Sequence, residues 1–313
     1  MKVIIALLTF HGCLALSAAA QPASPSQADA LATTTRPAVL VYATARLGEA
    51  ASCGCAPERG GLARQAVHLA RLRRAASVGL VEAGDTFFRN YRIQPSEAPK
   101  LVARARGLAG LLSDQGLLAT AVGECDLAVG LRVLKDLASA AKFPVLAANL
   151  VTNEGERPFA ASAVVQIGSL SVGLIGLVSE RLGIGTTSAE LRAEPPAARF
   201  RETLAALSPR PDRIVVLAHM PPAEAEQLFR EVPGADLAIL GHGDGRLAPP
   251  RMCGSALLVG SDLRGRELGE VELTNLPTLG TRAHRHVLLS ASIGEEPAVA
   301  ERVRKLEPLP ARP

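Results

Sequence analysis

Short apolar runs alternate with amphipathic segments along the first half of the chain. Residues 37–43, 78–81 and 117–122 are apolar at almost every position, which is typical of strands buried on both faces. The segments between them repeat apolar residues every three or four positions, the spacing of a helix with one buried face. This order predicts a largely parallel sheet with helices packed against it.

The second half of the chain follows a different order. Residues 162–167 and 170–177 are predicted strands joined by a two-residue Gly-Ser turn, which is typical of a hairpin. Residues 213–217 and 236–240 are buried strands on either side of a predicted helix at 222–231. Three more strands, which their short connections predict to pair antiparallel, are expected at residues 255–260, 267–274 and 283–289. The fold class is therefore α/β with mixed sheets.

The two ends of the chain depart from these patterns. Residues 1–20 contain a lysine, an apolar run too short to span a bilayer and a small-residue end, which predicts a signal peptide cleaved before Gln21. Cleavage before Cys13, as in a lipoprotein, is the alternative. Residues 21–36 are predicted to be a disordered linker, and residues 291–313 a frayed tail. We expect an exported protein, periplasmic or extracellular, without a membrane span.

The amino-acid composition limits the kinds of partner molecule that we expect for this protein. The 313 residues are 48% hydrophobic, enough for a sizeable core, whereas aromatic residues make up only 3% and tryptophan is absent. Few aromatic rings argue against a surface that stacks nucleic-acid bases. The formal net charge is +4, and the arginines are spread along predicted helices, where we interpret most of them as solvated. We therefore expect no nucleic-acid partner.

Candidate metal ligands follow several predicted strands. Acidic or histidine side chains stand on short loops at the strand ends, at Asp85, Glu124, His219, His242 and Asp244. Carboxylate oxygens and imidazole nitrogens together suit a divalent cation such as Zn, Mn or Fe. A carboxylate past the end of a buried strand is also where open α/β folds place their chemistry. The plain alternatives are a turn cap at Asp85 and satisfied core histidines at His219 and His242.

The cysteines add a second possibility. Cys53, Cys55, Cys125 and Cys253 remain after removal of the signal peptide, and an exported chain can keep disulfides. Four cysteines allow three pairings. A bond between Cys53 and Cys55 is disfavoured because spanning one residue strains the geometry. Pairing of one of these two with Cys125 or Cys253 stays open.

The order of short motifs over residues 37–290 resembles the calcineurin-like metallophosphoesterases, specifically the catalytic domain of the 5′-nucleotidase branch. The motifs are GGLAR at 60–64, GD at 84–85, GECD at 123–126, AN at 148–149, VGLIGL at 172–177, AHM at 218–220, GHGD at 241–244 and the run 259–273. The resemblance implies an αββα sandwich of two packed mixed sheets flanked by helices. It also implies one or two divalent metal ions and a small phosphorylated substrate.

The resemblance also assigns roles to residues and shows two departures. In the family, the Asp at position 85 bridges two metals, and the residues at positions 124, 219 and 242 complete one metal site. The family's first motif, Asp-any-His, has no counterpart in residues 43–48. Its third motif, Gly-Asn-His-Glu, reads Gly-Glu-Cys-Asp, so Cys125 and Asp126 stand in the catalytic slot. The second site would keep Asp85 and Asp244.

These observations lead to two functional expectations. The first is an exported, metal-dependent phosphoric ester hydrolase with an altered site. The second is a catalytically weak or inactive protein on the same fold that binds metal or acts as a thiol redox sensor. Cys53 and Cys55 follow the missing first motif, and we expect that these two cysteines and Cys125 replace the lost ligands as a thiolate-containing metal or redox site.

Overall fold

The computed structural model describes residues 36–242, 247 and 249–307. The strands in these ranges are β1 Ala38–Ala43, β2 Ser77–Glu82, β3 Leu117–Ala121, β4 Val145–Leu146, β5 Leu150–Thr152, β6 Ser162–Ile167, β7 Leu170–Val178, β8 Leu191–Ala193, β9 Arg213–His219, β10 Leu237–Leu240, β11 Arg251–Cys253, β12 Ala256–Val259, β13 Glu267–Glu272 and β14 His284–Leu288. The helices are α1 Leu62–Leu72, α2 Ala98–Asp114, α3 Leu131–Ala140, α4 Ile184–Thr187, α5 Pro196–Ala206, α6 Pro222–Glu231, α7 Leu276–Leu279 and α8 Pro297–Leu306.

Two six-stranded sheets dominate the described residues. The first has the order β14-β13-β1-β2-β3-β4, and the second has the order β11-β12-β10-β9-β7-β6. Strands β1 to β4 run parallel, while β13 and β14 add antiparallel pairs at one edge. Strands β7, β9, β10 and β12 also run parallel, with antiparallel neighbours at both edges. Both sheets are mixed, which confirms the predicted fold class.

The side chains of β1 show how the layers form. Leu40 and Tyr42 belong to the core between the two sheets, whereas Val39 and Val41 belong to the core that also contains residues of α1, α2 and α3. Successive strand residues point to opposite faces, so burial on both faces requires apolar residues throughout. A third core packs α5 and α6 against the second sheet. The four layers are therefore helix, sheet, sheet and helix.

Two predicted details of the fold were wrong. Strand β12 does not pair with β13; it lies parallel to β10 and antiparallel to β11 in the second sheet. The chain then crosses to the first sheet, where β13 and β14 pair antiparallel as predicted. The sequence pattern of residues 127–142 predicts one helix, but α3 begins only at Leu131, because Cys125–Leu127 forms a separate 3₁₀ turn and Gly130 precedes the helix with a non-helical φ of 93°.

The predicted frayed tail contains an ordered helix. Helix α8 packs against α1 and α2, and Val303 on its inner face is buried. The Glu296 carboxylate caps it by accepting the Val299 N–H at 2.7 Å. The predicted signal peptide, Cys13 and residues 21–35 lie outside the described residues. No helix within the described ranges has the length and apolarity that crossing a membrane requires.

Candidate metal centre

Four of the five candidate ligands converge where the two sheets meet. Asp85 and Glu124 follow β2 and β3 of the first sheet, while His219 ends β9 and His242 follows β10 of the second. One potential ligand atom from each residue lies within 4.8 Å of the others. Parallel strands bring their carboxyl ends to one edge, so residues distant in sequence meet there. The fifth candidate, Asp244, lies outside the described residues.

The ring of His219 is fixed by the backbone. It is fully buried, and its Nδ1 lies 2.9 Å from the carbonyl oxygen of Ala83. A carbonyl oxygen only accepts hydrogen bonds, so Nδ1 carries the proton that makes this contact. Nε2 then faces Glu124 at 2.7 Å and Asp85 at 3.6 Å. A carbonyl partner on one ring nitrogen is the usual arrangement for a histidine that ligates metal through the other.

Glu124 links the two histidines. Its Oε2 contacts His219, and its Oε1 lies 3.0 Å from Nδ1 of His242. Burial opposes ionisation, but hydrogen bonds from both imidazoles hold the pKa of Glu124 well below its usual range. Burial likewise opposes the charge on His219, yet the carboxylates of Asp85 and Glu124 raise the pKa of His219 to about 9. The carboxylates thus attract positive charge, which a divalent cation supplies when it displaces protons.

Close packing of the loops requires small residues beside the ligands. Gly84 has φ 97°, and a Cβ there would lie 2.5 Å from Nδ1 of His219. A Cβ at Gly123 would lie 2.1 Å from Oδ1 of Asp85. That oxygen accepts the N–H of Cys125 at 2.8 Å. Oδ2 is therefore the oxygen that faces His219, and the flanking glycines let the carboxylate reach this position.

The contacts of the Asp126 carboxylate do not match the catalytic role that the sequence resemblance implies for it. It is buried, and its two carboxylate oxygens accept the N–H groups of Phe87 at 2.8 Å and Gly123 at 3.0 Å. Burial and the nearby charge of Asp85 raise the pKa of Asp126. Because backbone N–H groups occupy both oxygens, the carboxylate connects the loop after β2 to the loop after β3.

Cys125, at the position where the resembled family has a catalytic residue, is not arranged to transfer a proton readily. Its Sγ is buried and lies 3.7 Å from the carbonyl oxygen of Arg89. Burial, together with the surrounding carboxylates, raises the pKa of the Cys125 thiol. A thiol that holds its proton so firmly is a weak general acid near neutral pH.

Cys53 and Cys55 are bonded to each other, so the sequence interpretation of this pair needs two corrections. The disfavoured Cys53–Cys55 disulfide is present, and the alternative pairings are absent because Cys125 and Cys253 are free and buried. Gly54 adopts φ 63°, a left-handed conformation that lets the chain turn between the two sulfurs. Both sulfurs are used in the bond, so the proposed thiolate ligands are not available to a metal.

Sequence reasoning missed the role of Arg46, which lies outside the predicted helices whose arginines were interpreted as solvated. The side chain is buried, and its Nε and Nη2 donate to Glu82 at 2.5 Å and Gln65 at 2.8 Å. It lies in the loop after β1, where the resembled family carries its first metal motif. The available signal was Glu82 at the end of a buried strand, since a buried carboxylate requires a cationic or hydrogen-bonding partner.

The fold and the site together define a class: an αββα sandwich with a cluster of acidic and histidine residues at the edge where its sheets meet. Solved structures of three proteins share this fold. The sulfate thiohydrolase SoxB of Thermus thermophilus has a TM-score of 0.71 and 15% identity, over 86% of this chain and 60% of its own. A 5′-nucleotidase precursor, also from Thermus thermophilus, has a TM-score of 0.67 and 21% identity, over 86% of this chain and 58% of its own.

The third is the calcineurin-like phosphoesterase YfkN from Bacillus subtilis, with a TM-score of 0.65 and 17% identity over 87% of this chain and 96% of its own. No protein-family model and no curated protein sequence matches the chain. The present chain spans about three fifths of the SoxB and nucleotidase chains. These similarities confirm that the chain shares its fold with a calcineurin-like phosphoesterase and a 5′-nucleotidase, as the sequence resemblance implied.

Proposed function

We propose that the protein is an exported, metal-dependent hydrolase of phosphoric esters. The observation that carries the proposal is the convergence of Asp85, Glu124, His219 and His242 at the edge of a metallophosphoesterase sandwich. Solved structures with this fold include proteins named as a 5′-nucleotidase and a calcineurin-like phosphoesterase. The predicted signal peptide supports export.

The donor set fits one divalent cation, with Zn, Mn or Fe as the candidates. Two carboxylates and two imidazoles provide hard and borderline ligands, and the Ala83 carbonyl orients His219 for ligation. A divalent cation, when bound, polarises a phosphoryl oxygen and makes water a better nucleophile. The protein itself positions the ligands: Asp85 accepts the N–H of Cys125, and Glu124 contacts both His219 and His242.

The altered catalytic slot predicts which substrates turn over. The buried Cys125 thiol is a weak acid, and Asp126 is occupied by backbone donors. Loss of general acid catalysis costs about 10² to 10⁴ in rate for leaving groups that need protonation. We therefore propose small phosphorylated substrates with good leaving groups, and we expect 4-nitrophenyl phosphate to be hydrolysed much faster than AMP.

The test combines metal content and turnover on the purified full chain. Hydrolysis of 4-nitrophenyl phosphate, bis(4-nitrophenyl) phosphate and AMP is measured with added Mn or Zn, together with metal bound per chain. Asp85→Asn is expected to abolish both turnover and metal binding. Asp114→Asn, a surface carboxylate paired with Arg302, is the matched control and should change neither. Turnover that survives Asp85→Asn would refute the assigned site.

A second candidate function is metal binding without turnover. The Cys125 thiol in the general-acid position, with its raised pKa, favours this candidate. The same experiment separates the two, because the second candidate requires one bound metal ion per chain and no hydrolysis of any of the three esters. A chain that binds neither Mn nor Zn contradicts both candidates.

A further inference from the structure

The disulfide between Cys53 and Cys55 lies at the surface, in the loop between β1 and α1. Cys55 is exposed and Cys53 is half-buried. The bond encloses only Gly54, so it joins no two elements of the fold. The stabilisation from a disulfide grows with the length of the loop that it closes. A structural reason for this bond is therefore weak, and its exposure makes it accessible to other thiols.

The backbone already holds the base of this loop without the disulfide. The N–H of Cys53 donates to the Arg59 carbonyl oxygen at 2.8 Å, and Ser52 forms a β-bridge with Gly60. The Ser52 hydroxyl donates to the Glu58 carboxylate at 2.6 Å. Arg59 is bridged in turn to Ser290. These contacts do not involve sulfur, so the loop has a framework that remains when the bond is reduced.

The two sulfurs have different surroundings. Sγ of Cys53 lies 3.4 Å from the backbone N–H of Arg59, a donor that stabilises a thiolate. Sγ of Cys55 lies 3.5 Å from the carbonyl oxygen of Pro57, an acceptor that suits a protonated thiol. The loop is thus arranged for a reduced state in which Cys53 carries the negative charge and Cys55 carries the proton.

We propose that Cys53-Gly54-Cys55 is a thiol–disulfide exchange site for a dithiol, on a small molecule or on a second protein. A thiolate of the dithiol attacks Sγ of the exposed Cys55, forming a mixed disulfide and breaking the Cys53–Cys55 bond. Cys53 leaves as a thiolate facing the Arg59 N–H, which favours its departure. The second thiol of the dithiol then attacks the first sulfur of the dithiol in the mixed disulfide. The dithiol leaves as an intramolecular disulfide, and Cys55 is released. Two electrons pass from the dithiol to the protein, the proton of its second thiol goes to Cys55, and Cys53 remains a thiolate.

The first test measures catalysis of exchange. The full chain, at a concentration far below that of the reactants, is mixed with dithiothreitol and oxidised glutathione in the presence of EDTA. We expect formation of reduced glutathione to accelerate at least about tenfold over the uncatalysed rate, and the acceleration to disappear in Cys53→Ser and Cys55→Ser. Cys253→Ser, which removes a buried free cysteine, is the matched control and should retain it. Equal rates for the wild type and a Cys53→Ser/Cys55→Ser double variant would overturn the proposal.

The second test examines the asymmetry of the two sulfurs. Alkylation by iodoacetamide as a function of pH gives the thiol pKa in Cys55→Ser, which leaves Cys53, and in Cys53→Ser, which leaves Cys55. We expect the pKa of Cys53 to lie below that of Cys55 and below the ordinary value of about 8.5. The reverse order would contradict the assigned leaving group. Because EDTA removes divalent metal in the exchange assay, failure here is distinct from failure of the proposed phosphoesterase.

Discussion

The loops after β1 and β2 leave adjacent parallel strands in the same direction, yet they use charge in opposite ways. The loop after β2 carries Asp85 into the cluster of ligands, where the carboxylates attract protons or a metal ion. The loop after β1 carries Arg46, whose guanidinium is already neutralised by Glu82. Asp85, in the loop after β2, is positioned to bind a proton or a cation, whereas Arg46, in the loop after β1, is already paired with Glu82.

This comparison explains how the protein tolerates the missing first metal motif. Residues 43–48 contain no carboxylate or imidazole at the place where the resembled family has its first metal motif. The charge of Arg46 is compensated by Glu82, and hydrogen bonds through Gln65 and Gln115 connect the guanidinium to helix α1, so this loop offers no free group to a metal. We therefore expect one metal ion per chain, held by the loops after β2, β3, β9 and β10.

The largest effect is expected from removing a ligand. In Glu124→Ala, both histidines lose the carboxylate that they share, so affinity for Mn or Zn should fall by more than about 100-fold. Isothermal titration calorimetry measures the change. Glu154→Ala, at an exposed turn, is the control and should bind as the wild type does. Unchanged affinity in Glu124→Ala would show that the cluster is not the metal site.

The loop after β1 is expected to affect stability rather than metal binding. Arg46→Met leaves the Glu82 carboxylate buried without its cation and should lower the free energy of unfolding by about 3 to 5 kcal/mol. Arg46→Met/Glu82→Leu should recover most of this loss, because an apolar pair replaces the ion pair. Urea denaturation measures both. A stable Arg46→Met variant that cannot bind metal would instead place Arg46 within the metal site.

A change next to the ligands should weaken metal binding while leaving every ligand present. In Gly123→Ala, the new Cβ would displace the Asp85 carboxylate, and we expect affinity for Mn to fall about tenfold or more. Gly110→Ala is the matched control, because Gly110 lies in α2 and a Cβ added there would meet Nη2 of Arg302 only at 3.8 Å, an ordinary contact distance. Equal affinity in both variants would mean that the loop shifts without moving Asp85.

The smallest effect on stability is expected at the disulfide. Closing a loop of three residues stabilises a protein by about 1 to 2 kcal/mol, so Cys53→Ser should lower the free energy of unfolding by no more than that amount. Urea denaturation under the same conditions allows direct comparison with Arg46→Met. A loss as large as that of Arg46→Met would identify the bond as a structural support and argue against exchange as its role.

Much of the fold was readable from sequence because most strands and helices differ in local periodicity. The same reasoning failed for β12, which pairs with β10 and β11 in the second sheet rather than with β13, the next strand along the chain. It also missed α8, although Val299, Val303 and Leu306 repeat at the spacing of a helix. That helix is short, and its stability comes from packing against α1 and α2.

The sequence by itself determined the order of most strands and helices and placed Asp85, Glu124, His219 and His242 at strand ends, because these features depend on near neighbours along the chain. Only the tertiary structure decided which strand ends meet, that Arg46 pairs with Glu82, and that backbone donors occupy Asp126. Pairing of a buried charge depends on groups that folding brings into contact. The Cys53–Cys55 bond also required the structure, since it depends on the left-handed turn at Gly54.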